Sequence, residues 1–399
     1  MTSVSNSTLE RYAFYALVAC LGVVQFTIFA WAPLVVACVL WLVVTVREGR
    51  WPDWPSFFLP LLALAGWTLV SCAFSSDPAA SFFRSRQLLL YLIVPLTYRV
   101  ARGGRAMTAV NVIIAVGAVS ALIGIVQYVA LGYDELNRRP HGLLGHYMTY
   151  SGVLMLVMGA AVARLIYSER EWLWPAVAVP ALVVALAVSQ SRNAWVGTIA
   201  AVVALLSVKN WKLLVAVPVL LAVFGWLAPP SIRDRAFSSF DMTNATNADR
   251  LSMLKSGEAM IADHPILGVG LNMVSSEYRT KYKRPDAVDP PNSPGATRAH
   301  LHNVPVQLAA ERGLPALAAW LWFIVVLGRD LLRQARRGPA SSLAAAGLAA
   351  VAAMLVAGLF EHNFGDSEFL LLFLGLITLP FAAAADTNER PGLARAQAA

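Results

Sequence analysis

Two histidines lie close together where a polar segment runs into an apolar one. His300 and His302 are followed by Asn303, by Pro305 and, about two helical turns later, by Glu311. An Asn that caps a helix and a Pro in the first turn predict that a helix begins here. A histidine can take a proton from a hydroxyl group near neutral pH, and a helix start favours an anion. The stretch indicates either acid–base chemistry on an anionic substrate or a capped helix with incidental histidines.

Arginine is the second residue type that could do chemistry. Arg84 and Arg86 follow the turn 75–78, Arg192 follows an apolar run, and Arg250 lies in a long polar segment. A guanidinium group binds two phosphate oxygens at once, in a bidentate geometry, and it stays charged. It can therefore stabilise a departing pyrophosphate without a metal. Residues two apart on a helix point about 200° from each other, so one of Arg84 and Arg86 should face the site while the other reaches lipid headgroups. The sequence leaves open which one does so.

Several familiar motifs are absent from the sequence. There is no G-x-x-x-x-G-K-[ST] loop, no D-x-D pair and no H-E-x-x-H motif, and Ser191 lacks the flanking glycines of a nucleophile elbow. The three cysteines lie inside apolar runs, which argues against a disulfide framework or a thiolate zinc site. We therefore expect no metal, no cofactor and no nucleic-acid partner. The reaction should use a donor that already carries an anionic leaving group.

The elements that position these residues are apolar helices. The 399 residues are 58% hydrophobic, with a mean hydropathy of +0.61. Runs long enough to span a bilayer predict an all-α polytopic membrane protein with about twelve transmembrane helices. The first run is not followed by a cleavage site, so we interpret it as a retained span. The predicted spans are 12–30, 32–46, 56–73, 87–100, 107–132, 148–166, 173–188, 194–208, 213–228, 306–327, 341–360 and 368–385.

The distribution of Lys and Arg predicts the orientation of these spans. With both termini cytoplasmic, sixteen of these residues fall on the inner side and five in the short outer loops, as the positive-inside rule requires. All six histidines then lie on the outer face. The five outer arginines depart from the rule, which indicates an anionic ligand on that side.

The predicted topology divides the chain into three parts. Residues 1–228 form the first nine spans, 229–305 form one large outer loop, and 306–399 form the last three spans with a short tail. Helical spacing within the loop predicts short helices at 249–263 and, more weakly, at 271–283. Between them, 264–272 reads as a break and turn, and Pro290, Pro291 and Pro294 indicate an extended loop.

In its motifs the chain resembles the O-antigen ligase family. The resemblance rests on Ser191-Arg192-Asn-Ala-Trp, on His264-Pro265-Ile-Leu-Gly268-Val-Gly270, and on His302-Asn303 followed by Glu311-Arg-Gly313-Leu, together with the layout of the spans. It implies a GT-C-like, inverting, metal-independent glycosyltransferase in the bacterial inner membrane. The enzyme would move a glycan from undecaprenyl diphosphate to the lipid A-core at the periplasmic face. Membrane lipids would surround the protein.

The resemblance also implies roles for individual residues. Arg192 would contact the diphosphate, and His302 is preferred over His300 as the catalytic base. The other substrate-binding candidates are Arg84, Arg86, Arg250, His300, Asn303 and Glu311.

Four other functions remain open. O-antigen polymerases and protein O-oligosaccharyltransferases use the same donor, but the former usually have two sizeable outer loops and the latter often a long C-terminal extension. A lipid-linked oligosaccharide flippase or anion transporter would need polar residues near the bilayer midplane. The central parts of the predicted spans are almost free of charge, which favours an enzyme.

Overall fold

The regular secondary structure is helical in the part that the computed structural model describes, which comprises residues 5–26, 28–49, 52–136, 138–168, 173–239, 241, 245–285, 287, 300–337 and 341–396. The first eight α-helices are α1 (Asn6–Val23), α2 (Trp31–Glu48), α3 (Phe58–Ala73), α4 (Pro78–Ser85), α5 (Ile93–Val100), α6 (Gly104–Leu131), α7 (Tyr147–Tyr167) and α8 (Leu173–Val188). The next eight are α9 (Arg192–Asn210), α10 (Ala216–Leu227), α11 (Pro230–Phe237), α12 (Ala245–Asp263), α13 (Val274–Glu277), α14 (Val304–Arg337), α15 (Ser341–Ala357) and α16 (Ser367–Ala396).

Six helical stretches in the described residues are long and apolar enough to cross a membrane: Trp31–Glu48, Gly104–Leu131, Tyr147–Tyr167, Arg192–Leu227, Val304–Arg336 and Ser367–Ala385. Three shorter apolar helices, α3, α8 and α15, accompany them. The expectation of a multi-pass helical membrane protein is therefore confirmed. The count of twelve spans, the GT-C-like assignment and the three-part division stay predictions.

The predicted span 87–100 is more irregular than the sequence pattern indicates, and the break expected between the predicted spans 194–208 and 213–228 falls at Asn210. The run 87–100 begins as a 3-10 helix over Arg86–Leu92 and continues as α5, because Pro95 cannot donate to the carbonyl four residues earlier. The stretch 192–227 is interrupted at Asn210, whose backbone is extended with φ −165° and ψ 113°. Asn210 also caps the following turn by accepting from the N–H of Lys212. The chain thus divides there into α9 and α10.

The packed centre of the bundle is built from α7, α9, α15 and α16. The helix α15 is rich in buried alanine, and Ala349 packs where α7 crosses it at Gly159. Small side chains let helix backbones approach closely, which is how helices associate in lipid. In contrast, α10 has no buried residue and exposes Leu220 and Trp226, as expected for a helix that faces lipid.

The long polar segment after α10 folds onto the start of α14. Met253 and Met260 of α12 form a buried cluster with Tyr278, Leu301 and Ala310. The predicted helix at 249–263 is confirmed as α12, and the weaker one at 271–283 is α13 followed by a π-helical turn over Tyr278–Tyr282. The prolines of the predicted extended loop lie outside the described residues. This packing holds the residues around 300 against the bundle.

Candidate functional site

A buried carboxylate gathers two histidines at one end of the bundle. Glu361, which is only 4% exposed, lies between α15 and α16. Its Oε2 atom is 3.0 Å from Nδ1 of His302, and its Oε1 atom is 3.6 Å from Nε2 of His300. The two imidazole rings meet edge to face with centroids 4.4 Å apart, and the ring of His362 lies 6.0 Å from that of His300. We call His300, His302 and Glu361 the His–Glu cluster.

Backbone contacts set the distance between the members of this cluster. His302 has φ +53°, a left-handed conformation that is uncommon for residues other than glycine and concentrates at functional sites. Directly after it, Asn303 Nδ2 donates to a carbonyl of the turn 358–360 at 3.1 Å, and the N–H of Val304 donates to another at 2.6 Å. That turn leads into Glu361. The histidine and the carboxylate are therefore held from both sides of the same backbone junction.

Electrostatics keep Glu361 ionised. Burial alone would raise the pKa of Glu361, but His302, His300 and Arg250 attract its charge and hold the pKa well below the usual range. Although 32% of the side chain of His300 is exposed, it faces an internal cavity, and burial lowers its pKa to about 4. Burial also lowers the pKa of His362. The cluster therefore combines a negative carboxylate with a neutral His300 near neutral pH.

The ionised carboxylate also orients the ring of His302. A carboxylate only accepts hydrogen bonds, so Nδ1 of His302 must carry the hydrogen that points at Glu361. In the neutral ring, Nε2 then keeps its lone pair. This is the arrangement in which a second residue fixes the tautomer of a general base.

The cluster lies in the wall between two cavities. The first, which we call the polar cavity, has a volume of about 350 Å³, and its walls include His300 and Glu361. It is also lined by polar and charged side chains, among them Arg84, Gln87, Asn272, Glu311, Arg312, Asn363, Asp366 and Glu368. The Nδ2 atom of Asn363 is buried and has no hydrogen-bond partner among the described residues. A ligand with acceptor oxygens would satisfy it.

The second, which we call the amphipathic cavity, has a volume of about 410 Å³ and contains His302 in its wall. Its charged side chains are Arg192 and Arg250. Its apolar lining consists of Val196, Leu251, Leu254, Leu301, Leu359 and Phe360. The Nδ2 atom of Asn193, which also lines it, is buried without a partner among the described residues. The cavity thus offers hydrogen-bond donors and positive charge beside an apolar surface.

Two further arginines, Arg139 and Arg235, line neither cavity but interact electrostatically with Arg192 and Arg250. The bonds of Arg192 go to neutral oxygens, the carbonyl of Ser238 at 3.0 Å and Oδ1 of Asn247 at 2.9 Å. Burial and then the charges of Arg192 and Arg139 lower the pKa of Arg235 to about 10, and burial and Arg250 lower that of Arg139. Like charges held this close favour an anion between them.

The other predicted site residues fall into different places. Arg84 lines the polar cavity, whereas Arg86 lines neither cavity and stacks its guanidinium 4.0 Å above the ring of Phe83. Asn303 caps α14 by accepting from the N–H of Val306 at 3.0 Å, so the predicted helix start is confirmed, and it also lines the amphipathic cavity.

Glu311 has a structural contact in addition to its place in the polar cavity. Its Oε1 atom accepts from the N–H of Asn272 at 2.9 Å, which ties the long polar segment after α10 to α14. Backbone bonds complete this junction: the N–H of Gly270 donates to Glu311, and the N–H of Leu314 donates to Pro265. Two of the motifs that carry the family resemblance are therefore packed against each other.

The junction between the turn 264–270 and α14 requires glycine at Gly313 and at Gly268. The φ of +78° and ψ of 172° at Gly313 break α14 into two helical pieces. A Cβ atom at this position would overlap the carbonyl oxygen of Ile266, and one at Gly268 would overlap the backbone of Glu311. The close approach of the two backbones thus excludes a side chain at either glycine.

Sequence reasoning missed Glu361 and Arg235 as members of the site, and it counted Arg139 only among the five outer arginines that indicate an anionic ligand. Glu361 is an acidic residue in the short outer loop between the last two predicted spans, and it precedes His362. The sequence signal that could have identified Glu361 is a carboxylate directly before a histidine in so short a loop.

The family model described as O-antigen ligase matches residues 176–321. The match contains Arg192, Arg250, His300, His302 and Glu311, and the resemblance expected from the motifs is thereby confirmed. It ends before Glu361. No curated protein matches the chain at a significant level.

Proposed function

We propose that this protein transfers a glycan from undecaprenyl diphosphate to a hydroxyl group of the lipid A-core oligosaccharide, at the periplasmic face of the bacterial inner membrane. The observation that carries the proposal is the position of the His302–Glu361 pair between the amphipathic cavity, which Arg192 and Arg250 line, and the polar cavity. A lipid-linked donor and a sugar acceptor need two such compartments with a base between them.

The donor would occupy the amphipathic cavity. Its diphosphate carries negative charge that Arg192 and Arg250 can neutralise, and the unpartnered Nδ2 of Asn193 adds a neutral donor. Leu251, Leu254 and the other apolar side chains would take the first isoprene units of the lipid. No soluble nucleotide sugar would benefit from this apolar lining.

The acceptor sugar would enter from the polar cavity. Carboxylates and amides bind sugar hydroxyls in both directions, since the former accept and the latter donate. Asp366, Glu368 and Asn363 provide these groups in one wall, and His300 lies in the same cavity. The reacting hydroxyl would then approach the His–Glu cluster.

The bond changes follow from this placement. The acceptor oxygen attacks the anomeric carbon of the donor while its proton passes to Nε2 of His302, and the bond from that carbon to the diphosphate oxygen breaks with its electron pair. Glu361 stabilises the imidazolium that forms. The arginines stabilise the negative charge of the leaving undecaprenyl diphosphate. A single displacement inverts the anomeric configuration, and the leaving group needs no metal.

The test is transfer with purified protein, purified lipid-linked donor and purified lipid A-core, without nucleotide and with a chelator present. We expect elongated lipid A-core with the opposite anomeric configuration. Elongation of the donor glycan instead would identify a polymerase. Loss of product on chelation, with rescue by one divalent ion, would contradict the arginine mechanism.

A matched pair of variants tests the donor cavity. Arg192→Lys keeps the charge but loses the paired geometry, so donor affinity should fall about ten- to a hundredfold, the worth of a charge-assisted hydrogen bond of roughly 1.5–3 kcal/mol. Arg233→Lys is the control, because Arg233 is exposed on α11 and lines neither cavity. Equal donor affinity in both variants would remove Arg192 from the donor site.

A further inference from the structure

The ligand atoms of the His–Glu cluster converge closely enough to hold a metal ion. One ring nitrogen of His300, one ring nitrogen of His302 and one carboxylate oxygen of Glu361 all lie within 4.8 Å of one another. In a tetrahedral zinc site with bonds of about 2.0–2.1 Å, neighbouring ligand atoms are about 3.3 Å apart. Nδ1 of His302 lies 3.0 Å from Oε2 of Glu361, and Nε2 of His300 lies 3.6 Å from Oε1, so each imidazole is close to this spacing from one of the two carboxylate oxygens.

The three residues also form a suitable ligand set. Two imidazoles and one carboxylate are ligands for zinc and for other first-row divalent metals, whereas calcium and magnesium prefer sites of oxygen alone. The carboxylate is buried, and the backbone junction described above holds His302 toward it. An ion can reach the cluster from the polar cavity, which would also leave a coordination position for water.

We propose that the His–Glu cluster is a binding site for Zn²⁺ and related transition-metal ions, and that occupation of this site inhibits the enzyme. The inhibitory part rests on the proposed function, while the binding part does not. The metal is not needed for the reaction, so it acts as a reversible block on the base.

The inhibition follows from the structure of imidazole. A neutral ring has one N–H group and one lone pair. When the metal takes the lone pair at Nδ1 of His302, the hydrogen must reside on Nε2. The Nε2 atom then has no lone pair with which to accept the proton of the acceptor hydroxyl. The metal also takes the oxygen of Glu361 that would stabilise the imidazolium.

Arg250 sets the strength of binding. Its guanidinium lies 3.9 Å from Oε2 of Glu361, so it repels a divalent ion and competes for the same oxygen. Removing this charge should tighten zinc binding, although it should weaken binding of the donor. Opposite effects of one substitution on zinc and on the diphosphate would be hard to obtain from a general loss of structure.

The experiment is a calorimetric titration of the purified, tag-free protein with ZnCl₂ after removal of trace metals by a chelator. We expect one site per chain, no binding of Mg²⁺, and X-ray absorption with two imidazole nitrogens. Zinc affinity should fall at least about tenfold in Glu361→Gln and in His300→Ala, and should rise in Arg250→Gln. His264→Ala is the control, since His264 is exposed and lines neither cavity.

The outcomes separate the inference from the proposed function. In the transfer assay, added Zn²⁺ should stop the wild-type reaction and excess chelator should restore it. Absence of a zinc site, or a site that survives Glu361→Gln and His300→Ala in variants that elute as the folded protein, would overturn the inference whatever the transfer assay shows. A zinc site that is lost as expected in a protein without transfer activity would leave the site standing and reject the glycan-transfer proposal.

Discussion

Nδ1 of His302 lies 3.0 Å from Oε2 of Glu361, although the two residues are 59 positions apart in the chain. The contact joins the segment before α14 to the loop before α16. It orients the ring of His302 and fixes its tautomer, as the proposed role of a general base requires. The first two predictions concern this pair.

Glu361→Gln should lower the rate of transfer by about a hundredfold or more. Glutamine keeps the shape of the side chain but cannot hold the charge that stabilises the imidazolium, and its amide can present a donor to Nδ1 and favour the wrong tautomer. Donor affinity should change far less. Initial rates at saturating donor and acceptor measure the first effect, and donor binding measures the second.

The control for this variant is Glu277→Gln. Glu277 ends α13 and lines neither cavity, so it should keep wild-type rates. If Glu361→Gln loses donor binding and thermal stability to the same degree as transfer, Glu361 has a structural role only.

His302→Ala should abolish transfer while expression and donor binding stay nearly intact. General acid–base catalysis contributes about a hundred- to ten-thousandfold to the rate of a reaction. His302 is the member of the cluster that lines the amphipathic cavity. His300→Ala should lose less activity, because His300 faces the polar cavity. Single-turnover rates of the two variants distinguish them. An inactive His300→Ala beside an active His302→Ala would reverse the assignment.

Local patterns in the sequence predicted the helical framework well. Apolar runs mark helices because lipid-facing and core-facing positions are both apolar, and each predicted run overlaps one helix or two consecutive helices. The cap at Asn303 and the helix ending at Asp263 were also predictable, since they depend on neighbours within a few residues.

Long-range pairing was not predictable in the same way. Glu361 meets His302 only because the turn 358–360 accepts hydrogen bonds from Asn303 and Val304, and no local pattern encodes that junction. The arginine group has the same origin: Arg139, Arg192 and Arg235 come from three segments whose convergence depends on the packing of the bundle. The residue types were visible, but their partners were not.

Gly313→Ala should destabilise the protein by about 1–3 kcal/mol or more. A side chain at this position would have to adopt φ +78° and would overlap the carbonyl oxygen of Ile266. The turn that contains His264 and Gly268 should then detach from α14. Thermal unfolding in detergent measures the loss of stability, and limited proteolysis at 264–272 reports the detachment.

Gly328→Ala is the matched control within the same helix. A Cβ atom at Gly328 would meet no other atom within 4 Å, and alanine is favoured over glycine in a helix by roughly 0.5–1 kcal/mol. The control should therefore be neutral or slightly stabilising. Equal losses of stability in both variants would contradict the role assigned to the junction at Gly313.

Arg84→Lys should weaken use of the acceptor, and Arg86→Lys should be nearly silent. Arg84 lines the polar cavity, whereas Arg86 stacks on the exposed ring of Phe83. Lysine keeps the charge but loses the paired hydrogen bonds. Because Arg84 is exposed, the expected rise in KM for the acceptor is only about five- to tenfold, equivalent to about 1 kcal/mol.

The two arginine variants also decide which cavity receives the diphosphate. Arg84 and Arg192 line different cavities, so Arg84→Lys should leave donor affinity within about twofold of wild type, a difference of about 0.4 kcal/mol, while Arg192→Lys lowers it. Affinity for undecaprenyl diphosphate, measured for Arg84→Lys, Arg86→Lys and Arg192→Lys, provides the comparison. A loss in Arg84→Lys equal to that in Arg192→Lys would place the diphosphate across the His–Glu cluster. A loss of donor affinity in Arg84→Lys alone would mean that the donor occupies the polar cavity and the acceptor occupies the amphipathic cavity, because the leaving group must lie beside the arginine that binds it.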